Sequence, residues 1–307
     1  MFVKYLKSEL YRVLKMQSTY LLIGALFVCT LMTTFVTTNI DYSSVLGMSD
    51  EELATMNEEG HSVTALQEAT EAGVQSGANM DSVEEDYTSV NVFGKSMYYD
   101  SDLTELFQQN VMGQFHILYM SIFVGIFFGT LYRTGYDKNL LISNVSRLTL
   151  LGARMTVIAI YNAVLILWIF LTTILSDLVC TKAITVDLSP RFLLYVLTSF
   201  LLSFAFASVV ATITISTRST AAGITCGVIM AFGLVVYMTI LINQLLIAFL
   251  GAPKDLDIAD YMISQNITKL MIDSDNKFYI RAIACAIVYT VCSLVSSGIL
   301  VKKRDVS

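Results

Sequence analysis

Six stretches of this 307-residue chain run for 20 positions or more without Asp, Glu, Lys or Arg: 16–40, 106–132, 155–176, 192–217, 219–253 and 282–301. A helix needs about 20 apolar residues to cross a hydrocarbon layer about 30 Å thick, where backbone polar groups find no water and must bond within the helix. Six crossings are the expectation. Helices of a water-soluble bundle keep a polar stripe for solvent, whereas the stretch from Phe192 to Phe206 is uncharged and dominated by apolar residues on every side. Composition agrees, with 55% hydrophobic and 14% charged residues. Soluble domains are nearer one-quarter charged, so this chain lacks the polar surface to cover a water-facing globule.

The predicted fold is an all-α polytopic membrane protein forming one permease-like domain. An amphipathic helix over 1–16 precedes spans at 17–39, 109–132, 155–176, 192–215, 220–244 and 279–301. The four bases before the first span suggest a signal peptide, but its apolar run exceeds a secretory h-region of about 7–15 residues and lacks a small-residue cleavage site. It reads as a retained anchor.

Charge then sets the orientation, because short loops rich in Lys and Arg stay on the cytoplasmic side. With the N-terminus inside, the inner face collects 12 bases against Glu9, Asp137 and Asp305, and the outer face receives 7 bases and 22 acids. Both termini are then cytoplasmic. Fifteen of the 25 acids lie between Ile40 and Asn110 with one base, Lys95. This makes 40–108 a large acidic extracellular segment. It either caps a pathway and attracts cationic substrates or is a solvated decoration. No basic stripe exists to neutralise phosphates, so a nucleic-acid partner is excluded.

The connecting segments carry the remaining signals. Within 2–15, Phe2, Leu6, Leu10, Val13 and Leu14 share a helical face and the bases lie mainly opposite, which fits a helix in the inner headgroup layer. The inner loop 133–154 contains Arg133, Lys138, Arg147 and Arg154 in a partly amphipathic stretch, suited to docking a cytosolic partner or simply to fixing topology. The 219–253 run would extend about 50 Å as one helix. A break is therefore expected near Asn243-Gln244, and 245–278 becomes an outer re-entrant or surface region with Leu256, Ala259, Ile263, Ile267 and Leu270 at helical spacing.

Chemistry is sparse. Ion-coupled transporters place ionisable groups inside the membrane, and here the spans offer His116 and neutral groups such as Asn162. His116 reads as an interfacial residue and Asn162 as an interhelical hydrogen-bonding group. No carboxylate pair or Cys/His cluster suggests catalysis or a metal site. There is no G-x-x-x-x-G-K-[ST] sequence, so the chain is not expected to hydrolyse ATP itself. Any uphill work must come from another polypeptide.

Three segments carry a family resemblance. Lys4-Tyr-Leu-Lys-Ser-Glu-Leu-Tyr-Arg-Val-Leu-Lys15 is similar to an elbow helix. Thr134-Gly-Tyr-Asp-Lys-Asn-Leu-Leu-Ile-Ser-Asn-Val-Ser-Arg147 resembles an "N-G-T-I-[KR]-N…G-x-S-R" stretch, and Val301-Lys-Lys-Arg-Asp-Val306 a closing "F-x-[KR]-[KR]-D-[ILV]". Together with six spans, they resemble the membrane subunit of bacterial type-2 ABC exporters, the branch of sodium-, bacitracin- and lantibiotic-export permeases. The resemblance implies that Gly135, Lys138, Asn139, Ser146 and Arg147 form a coupling helix seated on an ABC ATPase subunit, which binds ATP and Mg. It also implies a homodimer or heterodimer of permeases in the cell membrane, with a substrate path along a seam formed partly by the second and fifth spans. Asn162, Asn243 and Gln244 are the candidate pathway residues. Asp137 and Asn144 depart from the pattern, which usually has a neutral residue and a glycine there. The alternative is a non-transporting sensor or scaffold that binds a ligand through its acidic outer segment.

Overall fold

The computed structural model describes residues 2–39, 103–134, 146–180, 189–232 and 258–303. Among them all regular structure is helical: α1 (Phe2–Lys15), α2 (Gln17–Asn39), α3 (Leu103–Met112), α4 (Phe115–Thr134), α5 (Arg147–Cys180), α6 (Pro190–Thr217), α7 (Thr220–Ala231), a 3-10 turn (Ile258–Tyr261), α8 (Ile263–Lys269) and α9 (Asn276–Lys303). Five helices, α2, α4, α5, α6 and α9, are long and apolar enough to cross a membrane. The chain is a multi-pass membrane protein by that measure. Within the expected span at 220–244 the described residues include α7, whose 12 residues extend about 18 Å, too short for a crossing on their own. The rest of that run, with Asn243 and Gln244, lies outside the described residues, as do the acidic segment 40–102 and the loop 135–145.

The apolar run at 106–132 is not one helix. α3 ends at Met112, Gly113 and Gln114 form a turn, and α4 starts at Phe115. Gln114 adopts φ 59°, a left-handed conformation that ends a helix. Its side chain compensates by donating to the Thr268 hydroxyl and to Ser264 O on α8. The other helix limits follow from capping. Ser189 accepts from Phe192 N at 3.2 Å and Pro190 occupies the first turn of α6, where a missing N–H costs nothing. A two-residue connection, Arg218-Ser219, then leads into α7, with Arg218 left-handed at φ 54° and Ser219 accepting from Ala222 N.

The helices pack with their ends in register, giving the bundle two chemically distinct ends. At one end lie α1, the ends of α4, α6 and α9, and the starts of α2, α5 and α7. Ten described bases sit there (Lys4, Lys7, Arg12, Lys15, Arg133, Arg147, Arg154, Arg218, Lys302 and Lys303) with a single described acid, Glu9. At the opposite end α3, the 3-10 turn and α8 close over the starts of α4, α6 and α9. The expected amphipathic surface helix is therefore two short pieces broken at Met262, and its apolar residues Ile263, Ile267 and Leu270 are buried in the bundle core.

α4 is the most enclosed span and α9 the least. Enclosure of α4 rests on close backbone approach to α7. A Cβ on Gly125 would stand 2.6 Å from Ile224 Cγ1, and one on Gly227 2.5 Å from Ser121 Cβ. One on Gly129 would overlap the Thr220 side chain. Gly125 and Gly129, and Gly223 and Gly227, are two G-x-x-x-G pairs on adjacent helices. Such pairs let membrane helices gain dispersion contacts where no hydrophobic drive exists. α6 and α9 are joined differently, through Thr212 Oγ1 donating to Ser293 O at 3.1 Å and meeting Ser297 Oγ at 2.9 Å.

Candidate functional site

The basic end is organised by a buried ion cluster of Glu9, Arg12 and Arg154. Glu9 lies at the edge of the apolar face of α1, one turn from Val13, and is 1% exposed. Its Oε1 accepts from Arg154 Nε at 3.1 Å, and its Oε2 pairs with Arg12 Nη2 at 3.1 Å. The Arg12 guanidinium also lies 4.3 Å from the Phe127 ring centroid and donates to Phe127 O at 3.3 Å. A carboxylate and two guanidiniums thus join α1 to the last turns of α4 and the second turn of α5. Taking these charges out of water is expensive, and only the mutual pairing offsets it. The pattern of the helix explains the arrangement: Glu9 and Val13 are one turn apart and face inward together, while Lys4, Lys7 and Lys15 stay exposed.

A second tie lies beside the first. Arg147 Nη1 donates to Val301 O at 3.2 Å in the last turn of α9. Cations near helix C-termini bond carbonyls left without intrahelical donors and oppose the helix dipole. Arg147 is half-buried and links two helix ends. Ser146 is exposed, and its carbonyl accepts from Leu150 N to open α5. Gly135, Lys138 and Asn139 lie outside the described residues. The segment bearing them joins α4 to α5, whose adjoining ends are the elements held by Arg12, Arg154 and Arg147.

Asn162 is buried midway along α5, and its Nδ2 donates to Phe200 O of α6 at 3.0 Å. Its geometry is that of an interhelical bond. His116, at the start of α4, is 1% exposed, and neither ring nitrogen finds a hydrogen-bond partner among the described residues. Among the described residues no group of His, Cys, Asp and Glu is arranged to hold a metal ion.

The opposite end has its own polar fastenings. Asn110 donates to Thr34 Oγ1 at 3.2 Å and Thr173 Oγ1 at 3.1 Å, joining α3 to the ends of α2 and α5. Asp260 receives Lys269 Nζ at 2.9 Å on one oxygen and Arg281 Nη1 at 2.8 Å on the other, tying the 3-10 turn to α8 and α9. Burial alone would raise the Asp260 carboxyl, but hydrogen bonding and charge from Lys269 and Arg281 outweigh it and hold the group below its ordinary value. Gln108 Oε1 accepts from Ile272 N at 2.9 Å, so α3 also supports the connection into α9.

Residues 75–307 match a family model described as "Protein of unknown function (DUF2705)". The chain belongs to that family. The match takes in α3 to α9, including Phe127, Arg147 and Arg154, and leaves α1 and α2 outside it. Glu9 and Arg12 therefore reach across from an unmatched helix to the matched portion. No curated protein matches the chain.

Proposed function

We propose that this chain is the membrane subunit of an ATP-driven exporter, which moves a hydrophobic, amphiphilic or peptide substrate outward. In this reading the chain crosses a bacterial cytoplasmic membrane six times, with α7 beginning the fifth span and the basic end in the cytosol. A separate ABC ATPase subunit binds ATP and Mg and seats on 133–147, and two permeases pair to frame the substrate path. The observation that carries the reading is the anchoring of helices on both sides of 135–145. α4 is fastened to α1 through Arg12 and Phe127, and α5 through Arg154 and Glu9.

The mechanical consequence is direct. A force applied to the 135–145 segment reaches α4 and α5, and the buried ion cluster obliges α1 to follow. Arg147 carries the same displacement to the end of α9. Because glycine contacts leave little slack between α4 and α7, movement of α4 is passed to the start of the fifth span. ATP-driven closure of partner subunits is thus converted into tilting of connected helices rather than local loop motion. Packed elements transmit such displacements because close-packed interiors resist compression.

The test is co-reconstitution with the cognate ATPase while Lys138 or Arg147 is replaced by glutamate. Lys138→Glu is expected to abolish substrate movement while leaving thermal unfolding of the isolated chain unchanged. Arg147→Glu is expected to lower both, since it also opposes the α9 carbonyls. Transport at the unmodified rate by both variants would remove 133–147 from the coupling path.

A further inference from the structure

We infer that the exposed face of α1 is a binding surface for the anionic headgroups of phospholipids. Taken around the helix at about 100° per residue, its exposed positions run Val3, Leu14, Lys7, Tyr11, Lys4, Lys15, Ser8, with Phe2 set apart on the other side. Val3 and Leu14 are 73% and 61% exposed. An apolar edge therefore passes straight into a basic one, while the face behind, with Glu9 and Val13, is given to the protein. The apolar residues of α1 thus serve two neighbours, the bundle and the acyl layer.

Charge decides which lipids this surface selects. Glu9 is the only acid in α1, and it is internal, paired with Arg12 and Arg154. Nothing acidic among the described residues pairs with Lys4 or Lys7, and Lys15 Nζ lies 4.7 Å from the Tyr11 ring centroid. The burial of Glu9 leaves the outward face of the helix purely cationic. With Val3 and Leu14 in the acyl boundary, the lysine stems run along the apolar surface and place three ammonium groups at phosphate depth. Such groups favour anionic over zwitterionic headgroups.

The inference rests on α1 lying at a membrane surface and is independent of ATP coupling. Its test needs no ATPase. The full chain is placed in nanodiscs of equal phosphatidylglycerol and phosphatidylcholine, released gently, and the co-released lipids are counted by native mass spectrometry. A lysine near an anionic surface contributes about fivefold, so even one engaged lysine should make the wild-type chain retain phosphatidylglycerol several-fold over phosphatidylcholine. Joint substitution Lys4→Gln, Lys7→Gln, Lys15→Gln should bring retention to near parity, and the corresponding three arginine substitutions should preserve the preference. Parity in the wild type, or an undiminished preference in the glutamine variant, would overturn the assignment. Transport results bear on the exporter reading alone, so the two readings fail separately.

Discussion

Glu9→Gln is the substitution whose consequence the structure specifies most fully. The change keeps side-chain volume and removes one negative charge from a site 1% exposed, where two guanidinium nitrogens each lie 3.1 Å away. At an effective dielectric of about 20, a unit pair at that distance is worth about 5 kcal/mol before desolvation is subtracted. Removing one partner from a buried ion pair typically costs about 3–5 kcal/mol, because the remaining charge stays in the interior. We therefore expect Glu9→Gln to destabilise the chain by about 3 kcal/mol. Replacing Glu9 and Arg154 together, Glu9→Met with Arg154→Met, removes the desolvation of that pair along with its attraction and leaves Arg12, 21% exposed, on Phe127 O, so the double should lose less than the sum of Glu9→Met and Arg154→Met. The assay is unfolding in mixed micelles titrated with sodium dodecyl sulfate, comparing the two single variants and the double. The reasoning is refuted if Glu9→Gln unfolds with the wild type, or if the double variant loses the sum of the two singles.

Three further outcomes are expected. Gly129→Val should separate α4 from α7 and cost about 1–3 kcal/mol in the same unfolding assay, as overpacking does, whereas Gly24→Val, with open space around its Cβ position, should be tolerated. Asn110→Leu should lose about 0.6–1.7 kcal/mol, the range for interhelical hydrogen bonds in membranes, with cysteine crosslinks between α3 and α5 forming less efficiently. For Asp260 the folded-state carboxyl is depressed, so its stabilising pairing is fully present above the ordinary value of 3.8 and is lost as pH falls through the lower folded value. Thermal unfolding followed from pH 7 to pH 3 should fall more steeply below about pH 4 for the wild type than for Asp260→Asn. Parallel curves would contradict the clip.

The spans were readable because hydrocarbon imposes a one-dimensional rule: a crossing helix must carry a long charge-free run. That rule locates α2, α4, α5, α6 and α9 without reference to anything distant in the chain. Their limits were less readable, and α5 shows why. Its charge-free run begins after Arg154, yet the helix extends back to Arg147, since Glu9 and the α9 carbonyls compensate charges that look terminal in isolation. The same distant pairing explains how Glu9, a carboxylate at the edge of the apolar face of α1, is accommodated in the interior. The Gly113-Gln114 turn was obscured by apolar residues on both sides, as hydropathy does not register a left-handed backbone. By contrast, the α4–α7 contact had an available signal in the paired G-x-x-x-G spacings, which a count of charge-free residues ignores. The proposed pathway residue Asn162 is legible as an interhelical group, while Gly135, Lys138, Asn139, Asn243 and Gln244 fall outside the described residues.

The central claim is that work enters this membrane chain at its basic end from a separate nucleotide-hydrolysing subunit. Affinity isolation of the tagged full-length chain from its native membrane, with a cysteine at Asn139 for crosslinking, tests it most directly. The account predicts a stoichiometric ATPase subunit joined through residue 139, whose ATP hydrolysis drives substrate movement in vesicles. Recovery of the chain without any such subunit, together with unaided transport by the isolated chain, would contradict it.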